Sequence, residues 1–304
     1  MAAHDVDTLA AEVAALLTSA GWDVTAPPAP VGVGEGEDAA LAFGRLVLRQ
    51  LAAGQRASAL WHLRHERVRA VLEERAVALV FQPIIDLHGE AVVGYEALSR
   101  FASRPRRTPD KWFAEAAVVG LAVDLEVLAI EKAVEALPLL PEGQYLSVNV
   151  SPPVATSPRL VAALSDAPLH RVVLEITEHE AVTDYAVLNA SLQPLRRRGL
   201  RVAVDDAGSG FASFRHVVKL QPDIVKLDTT LVHEIDCDRV LRALGYSLTA
   251  FASALGAVVI AEGVETDREV DALRFLGVPY AQGYHFGRPG ALPETPAAVA
   301  SLAG

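Results

Sequence analysis

Cysteine is almost absent from this sequence of 304 residues, since Cys237 is the single example. One cysteine cannot form a disulfide framework or a cysteine-based zinc site, and such low usage fits a reducing compartment. No apolar run is long enough to cross a bilayer, because the apolar runs are short, strand-like pieces such as "AVVIA" at 257–261. The N-terminus also has no early Lys or Arg, since Arg45 is the first of either, so a secretory signal is not indicated. We therefore expect a cytoplasmic protein without a membrane span.

Basic residues are outnumbered, with 27 Lys and Arg against 38 Asp and Glu and a net charge of −11. Neutralising the phosphates of a long nucleic acid requires a basic surface, so the composition argues against such a partner. It leaves open a small phosphate-bearing ligand held by one or two local cations. The 51% hydrophobic content predicts a folded protein with a sizeable core.

The residue pattern of the sequence changes near residue 76. Before it, helix-like stretches flank the segment "TAPPAPVGVGEGED" at 25–38, which is typical of a linker. After it, short runs rich in β-branched residues alternate with amphipathic helices, a pattern that indicates a parallel sheet covered on both faces. We interpret residues 1–76 as a helical extension with a linker, and residues 77–304 as a (β/α)₈ barrel. An open, doubly wound sheet is the alternative.

Polar side chains stand at or just after the ends of these apolar runs. In a (β/α)₈ barrel the carboxyl ends of the strands meet at one face and form the active site. Several carboxylates at one mouth repel each other strongly unless cations neutralise them, so a purely structural role is a poor explanation. The residues concerned are Glu96, Asn149, Glu175, Asp205, Asp206, Lys226, Glu262 and Gln282.

Carboxylate and amide oxygens are the ligands that Mg²⁺ and Mn²⁺ prefer. The adjacent pair Asp205 and Asp206 is suited to bridging two such ions, an arrangement that activates water for attack on a phosphoryl group. Lys226 and Arg100 add positive charge that we expect at the same rim. The residues alone thus predict metal-dependent hydrolysis of a phosphoester.

The motifs around these residues resemble those of the EAL domain family of cyclic di-GMP phosphodiesterases. The resemblance covers roughly residues 77–290, and its motifs follow in the family's order and spacing. They are "FQPIIDL" at 81–87, "GYEALSRF" at 94–101, "SVNVSP" at 147–152, "LEITE" at 174–178, "VDDAGSG" at 204–210, "IVKLD" at 224–228, "AEGVET" at 261–266 and "QGYHFGRP" at 282–289.

The resemblance implies a barrel whose first strand is antiparallel to the rest. It implies hydrolysis of one phosphodiester bond of cyclic di-GMP to linear pGpG, with two Mg²⁺ or Mn²⁺ ions. The metal ligands it implies are Glu96, Asn149, Glu175, Asp205 and Asp206, with Asp205 as the bridge and Asp206 serving the second ion.

Further roles come from the same resemblance. Lys226 is similar to the residue that contacts the nucleophilic water, Glu262 to an acidic residue that acts as a water-linked ligand or base, and Glu178 to the glutamate that anchors the loop after Asp206. The implied substrate contacts are Gln82, Arg100, Glu265 and Gln282.

The chain departs from the family's usual pattern at a few positions outside the ligand set. Ala207 and Ser209 stand where Phe and Thr are usual, in the loop that links the site to the dimer interface, and Phe101 stands where Trp is common. The family also contains non-catalytic members, so a cyclic di-GMP receptor or protein-interaction module is the alternative function. A homodimer and an upstream regulatory partner are further expectations.

Overall fold

The computed structural model describes residues 58, 60–176, 182, 184–207 and 211–293. The predicted linker and the helix-like stretches before residue 58 lie outside this range. The chain divides into two compact units, residues 1–67 and 68–304. In the first unit, helical residues 60–67 include Trp61, whose ring stacks on that of His65 with centroids 4.9 Å apart.

The second unit contains a closed barrel of eight strands in chain order. Most strands are runs of β-branched and apolar residues buried on both faces, as β4 shows with five buried residues out of five. The strands are β1 (Val77–Asp86), β2 (Ala91–Phe101), β3 (Tyr145–Val150), β4 (Val172–Ile176), β5 (Arg201–Ala207), β6 (Ile224–Leu227), β7 (Val258–Ala261) and β8 (Tyr280–Ala281).

The predicted barrel is confirmed, including its antiparallel first strand. β1 pairs antiparallel with both β2 and β8, while the neighbours from β2 to β8 pair in parallel. The alternative of an open, doubly wound sheet is wrong, because β8 returns to β1 and leaves no free edge in the described sheet. The last strand is the shortest, since it contains only Tyr280 and Ala281.

Helices follow the strands and cover the outside of the barrel. They are α1 (Pro109–Val118), α2 (Ala122–Ala136), α3 (Pro152–Ala155), α4 (Pro158–Ala163), α5 (Tyr185–Arg196), α6 (Phe211–Leu220), α7 (Thr229–Val232), α8 (Arg239–Ala254) and α9 (Asp267–Phe275). Acidic residues cap several of them; Asp184 accepts hydrogen bonds from two backbone N–H groups at the start of α5, and Asp238 does the same for α8. No helix in the described part of the chain combines the length and apolar character that a bilayer crossing requires.

The residues that lead into β1 are packed against the barrel. Val68 and Val71 are fully buried in an apolar cluster with Trp112 of α1 and Leu125 of α2. Phe101, at the end of β2, stacks on Trp112 in the same cluster with ring centroids 5.3 Å apart. Helical residues 68–73 are therefore part of the same core as the barrel's first two strands.

Candidate active site inside the barrel mouth

The barrel interior has an apolar layer with a polar layer above it. Strand side chains alternate between the two faces of a sheet, so the next inward position lies two residues along each strand. The apolar layer consists of Ile84, Tyr145, Val173, Ala203, Ile224 and Ile260. The polar layer lies two residues further along each parallel strand, toward its carboxyl end. Its members are Ser147, Glu175, Asp205, Lys226 and Glu262. Gln82 occupies the same level on the antiparallel β1, where it pairs in register with Glu96 of β2.

Lys226 lies at the centre of this polar layer and contacts four carboxylates. Its Nζ atom is 2.6 Å from Glu262 Oε1 and 2.7 Å from Glu175 Oε2. The same atom is 3.3 Å from Asp205 Oδ1 and 3.5 Å from Glu96 Oε2. Its side chain is only 1% exposed. The prediction that Lys226 lies at the rim is wrong, because its side chain is buried within the ring of acids.

The electrostatics follow from four carboxylates facing one ammonium group. Burial raises the pKa of Glu175 to about 8, with Lys226 opposing the shift and Glu96 reinforcing it. Burial also raises the pKa of Glu262 well above its usual range. Burial alone would lower the pKa of Lys226, but the surrounding acids raise it well above its usual value. The surrounding acids thus favour the charged form of Lys226, and burial favours the protonated forms of Glu175 and Glu262.

Neutral hydrogen-bond donors complete the cluster. The Asn149 side-chain amide donates to Glu96 Oε1 at 3.0 Å. The Gln282 amide donates to Glu96 Oε2 at 2.7 Å and to Glu262 Oε1 at 2.9 Å. The Ser147 hydroxyl donates to Glu175 Oε1. These contacts join side chains that are far apart in sequence into one network.

Two acceptor atoms of the network lack hydrogen-bond donors. Asp205 Oδ1 is at ion-pair distance from Lys226 but without hydrogen-bond geometry, and Gln282 Oε1 is also unpartnered. Leaving buried oxygens without donors is costly, so such atoms point to a ligand or a catalytic role. In the described residues, no three acidic, histidine or cysteine side chains are arranged to hold a metal ion as they stand. The carboxylates turn their oxygens toward Lys226 instead.

The predicted substrate contacts lie at different depths. Gln82 is buried, and its amide donates to the Gly287 carbonyl at 3.3 Å. Arg100 is exposed four residues along β2 from Glu96, with its guanidinium donating to the Ser99 carbonyl at 2.8 Å. Glu265 is exposed on the segment after β7. Gln82 therefore belongs to the buried polar layer, whereas Arg100 and Glu265 face solvent.

Four residues singled out by the sequence lie in or beside segments outside the described part of the chain. Glu178 and Ser209 lie outside the described residues. Asp206 and Ala207 belong to β5 by their backbone, and Ala207 pairs in register with Leu227. The roles proposed for these side chains remain predictions.

The segment after β7, which carries Glu262, is held by close packing and by a capping box. The buried Glu269 carboxylate accepts hydrogen bonds from the backbone N–H groups of Glu265 at 2.8 Å and Thr266 at 2.9 Å. A Cβ atom at Gly283 would lie only 2.1 Å from the Val264 carbonyl oxygen, so glycine is required for this approach. The segment is thus fixed from two sides.

Sequence reasoning missed two residues that shape the site. Ser147 stands within the quoted motif "SVNVSP", but the chain alone does not show that its hydroxyl reaches Glu175. Glu269 follows the motif "AEGVET" by three residues, and the Thr266–Glu269 spacing is the signal of a capping box that would have identified it.

The fold and site define an eight-stranded (β/α) barrel with a buried acidic centre at the carboxyl ends of its strands. The model of the EAL domain family matches residues 65–289. Since this is well over half of the chain, the protein belongs to the EAL domain family.

Named relatives agree with this assignment. The probable cyclic di-GMP phosphodiesterase PdeA of Escherichia coli is 32% identical over 239 residues, which cover 75% of this chain and 32% of PdeA. The chain thus spans about a third of that relative's length.

Two solved structures have the same fold. The EAL enzyme Bd1971, bound to cAMP and cyclic di-GMP, has a TM-score of 0.69 at 25% identity, covering 83% of this chain and 72% of that chain. Klebsiella pneumoniae BlrP1, in a complex with calcium and cyclic di-GMP, has a TM-score of 0.62 at 29% identity, covering 71% of this chain and 56% of that chain.

Proposed function

We propose that the protein is a cyclic di-GMP phosphodiesterase that hydrolyses one phosphodiester bond to give linear pGpG. The observation that carries the proposal is the convergence of four carboxylates, from β2, β4, β5 and the end of β7, around the single ammonium group of Lys226. Family membership and the named relatives support the choice of substrate. We place this activity in the bacterial cytoplasm, as part of second-messenger signalling.

The donor set fits divalent cations. Four carboxylates around one lysine, two of them buried and two partly buried, are short of positive charge, and Asp205 Oδ1 has no hydrogen-bond donor. Hard oxygen donors of this kind suit Mg²⁺ or Mn²⁺. We propose that two such ions are held by Glu96, Asn149, Glu175, Asp205 and Asp206. When bound, divalent cations lower the pKa of water and stabilise charge on phosphoryl oxygens.

The chain's own residues would then orient the reactants. Lys226 Nζ and Glu262 Oε1 lie 2.6 Å apart, so both reach the same small volume at the centre of the mouth. We assign Lys226 to donate a hydrogen bond to the attacking water and Glu262 to accept its proton. Glu178 is assigned to anchor the loop after Asp206.

Substrate binding is assigned to residues around the same mouth. Gln82 and Gln282 supply buried amides, and the exposed Arg100 supplies a guanidinium group suited to phosphate oxygens. Glu265 completes the set on the segment after β7.

The test is turnover of cyclic di-GMP by the full chain, with products separated by chromatography. We expect pGpG in Mn²⁺ or Mg²⁺ and none in EDTA. Glu175→Gln, which keeps the side-chain shape but removes the charge, should abolish turnover, whereas Glu142→Gln, an exposed substitution before β3, should not. Intact cyclic di-GMP after incubation of the wild type with either metal would refute the proposal.

A second candidate function is a non-catalytic cyclic di-GMP receptor. The observation that favours it is that the acids surround Lys226. Among the described residues, no three acidic, histidine or cysteine side chains are arranged to hold a metal ion as they stand. Tight binding of cyclic di-GMP in EDTA, without turnover in Mn²⁺, is the result that this alternative requires.

The residues before the barrel are proposed to receive an upstream regulatory signal. Arg75 supports this proposal, because it stands two residues before β1 and its guanidinium pairs with Glu131 and Glu135 of α2 at 2.8 Å each. Comparing turnover of the full chain with that of residues 68–304, which retain the buried Val68 and Val71, tests the idea, and equal rates would remove it. A homodimer is a separate proposal that light scattering of the full chain tests directly.

A further inference from the structure

Ser147 is a buried hydroxyl in the middle of the polar layer. It is 1% exposed on β3, between Tyr145 below and Asn149 above on the same inward face. In the parallel pairing of β2 with β3, Ser147 lies opposite Glu96. Burying a hydroxyl is unfavourable unless it is hydrogen-bonded, so a serine at this position needs a partner.

That partner is Glu175, and the contact is specific to one oxygen. The Ser147 hydroxyl donates to Oε1, while Lys226 donates to Oε2 at 2.7 Å. Each oxygen of the fully buried carboxylate therefore has its own donor, one from β3 and one from β6. Two donors at the two oxygens fix the plane of the carboxylate as well as its position.

The two donors differ in where they hold the carboxylate. Lys226 occupies the centre of the acid ring, where its Nζ atom also contacts Glu262 and Asp205. Ser147 binds from the barrel wall and leaves Oε2 directed at the centre. The Ser147 contact with Oε1 does not involve Lys226, so it orients Glu175 independently of the ammonium group.

We propose that Ser147 is a positioning residue, which holds Oε1 of Glu175 so that Oε2 is presented as the ligand oxygen for a divalent cation. The inference rests on the proposed function, because it assigns Glu175 to the metal site. Hydrogen-bond partners of metal ligands typically contribute 10–100-fold to metal affinity.

The test is the affinity of the full chain for Mn²⁺ without nucleotide, measured by calorimetric titration and by the electron paramagnetic resonance signal of free Mn²⁺. Ser147→Ala removes the donor, and Ser147→Cys nearly keeps the shape but replaces it with a weak donor. We expect both variants to bind Mn²⁺ about 10–100-fold more weakly than the wild type. Ser247→Ala, which removes an exposed hydroxyl bonded to the Ala243 carbonyl of α8, should bind as the wild type does.

The variants separate a positioning role from a packing role. If packing alone mattered, Ser147→Cys would bind Mn²⁺ like the wild type and only Ser147→Ala would differ, and that pattern would overturn the inference. Wild-type affinity in both variants would overturn it as well, while leaving the proposed function intact. Should Ser147→Ala fail to fold, as judged by circular dichroism, the comparison of Ser147→Cys with the wild type decides. No Mn²⁺ binding by the wild type would refute the metal-dependent function and this inference together.

Discussion

Replacing Lys226 with methionine removes the only cation that contacts the four acids in the described site. The side chain is 1% exposed and lies 2.6–3.5 Å from all four carboxylates. Removing one partner of a buried ion pair costs about 3–5 kcal/mol, because the remaining charge is left uncompensated. In a domain of this size, each kcal/mol lowers the midpoint of thermal unfolding by about 2–4 °C. We therefore expect Lys226→Met to unfold roughly 6–20 °C below the wild type in EDTA.

The measurement is a thermal melt followed by circular dichroism at pH 8, with EDTA or with excess Mn²⁺. Because Mn²⁺ can replace the missing positive charge, it should raise the unfolding midpoint of Lys226→Met more than that of the wild type. Lys219→Met, at an exposed position on α6, should change stability by less than about 0.5 kcal/mol. Equal midpoints for Lys226→Met and the wild type in EDTA would refute the view that this lysine stabilises the acid cluster.

The remaining predictions concern pH and packing. Because the pKa of Glu175 is raised to about 8 in the folded state, the native protein binds more protons than the unfolded chain, and its stability in EDTA should fall as the pH rises from 6.5 to 8. Burial lowers the pKa of His216, which makes stability rise with pH over the range where the unfolded histidine still binds protons, but this contribution and that of Glu262 are present in the wild type and in Glu175→Gln alike. Denaturant titrations over this pH range should therefore show a flatter slope of stability against pH for Glu175→Gln than for the wild type, and an unchanged slope would contradict the assignment. Gly283→Ala places a methyl group against the Val264 backbone and should lower the free energy of unfolding by about 1–3 kcal/mol or more. Gly290→Ala, where the nearest atom to the new methyl group is 3.8 Å away, should lower it far less. Similar thermal midpoints for the two variants would refute the packing argument.

The barrel could be predicted because most of its strands are short runs of apolar residues, a pattern typical of strands buried on both faces. "RVVLEIT" at 171–177 contains Glu175 and "AVVIA" at 257–261 is followed by Glu262, and the structure places both acids in the polar layer. Periodicity did not show that β1 is antiparallel, and the family resemblance supplied it. The chain did carry a local signal, since only residues 87–90 separate β1 from β2, too few for a parallel crossover.

The arrangement inside the site could not be predicted to the same degree. Alternation along β6 places Lys226 inside the barrel, but whether its ammonium group reaches the rim or folds among the acids depends on side-chain packing. The same holds for Ser147, whose motif was identified while its contact with Glu175 was not. Strand patterns specify which face a side chain occupies, whereas hydrogen-bond partners come from three-dimensional contacts between strands.

The most direct test of the central claim is anomalous X-ray scattering from crystals of the full chain soaked in Mn²⁺. The account predicts an anomalous peak among the oxygens of Glu96, Asn149, Glu175 and Asp205, with Lys226 displaced from at least one of these acids. No peak at that position, with the Lys226 ammonium still in contact with all four carboxylates, would contradict it.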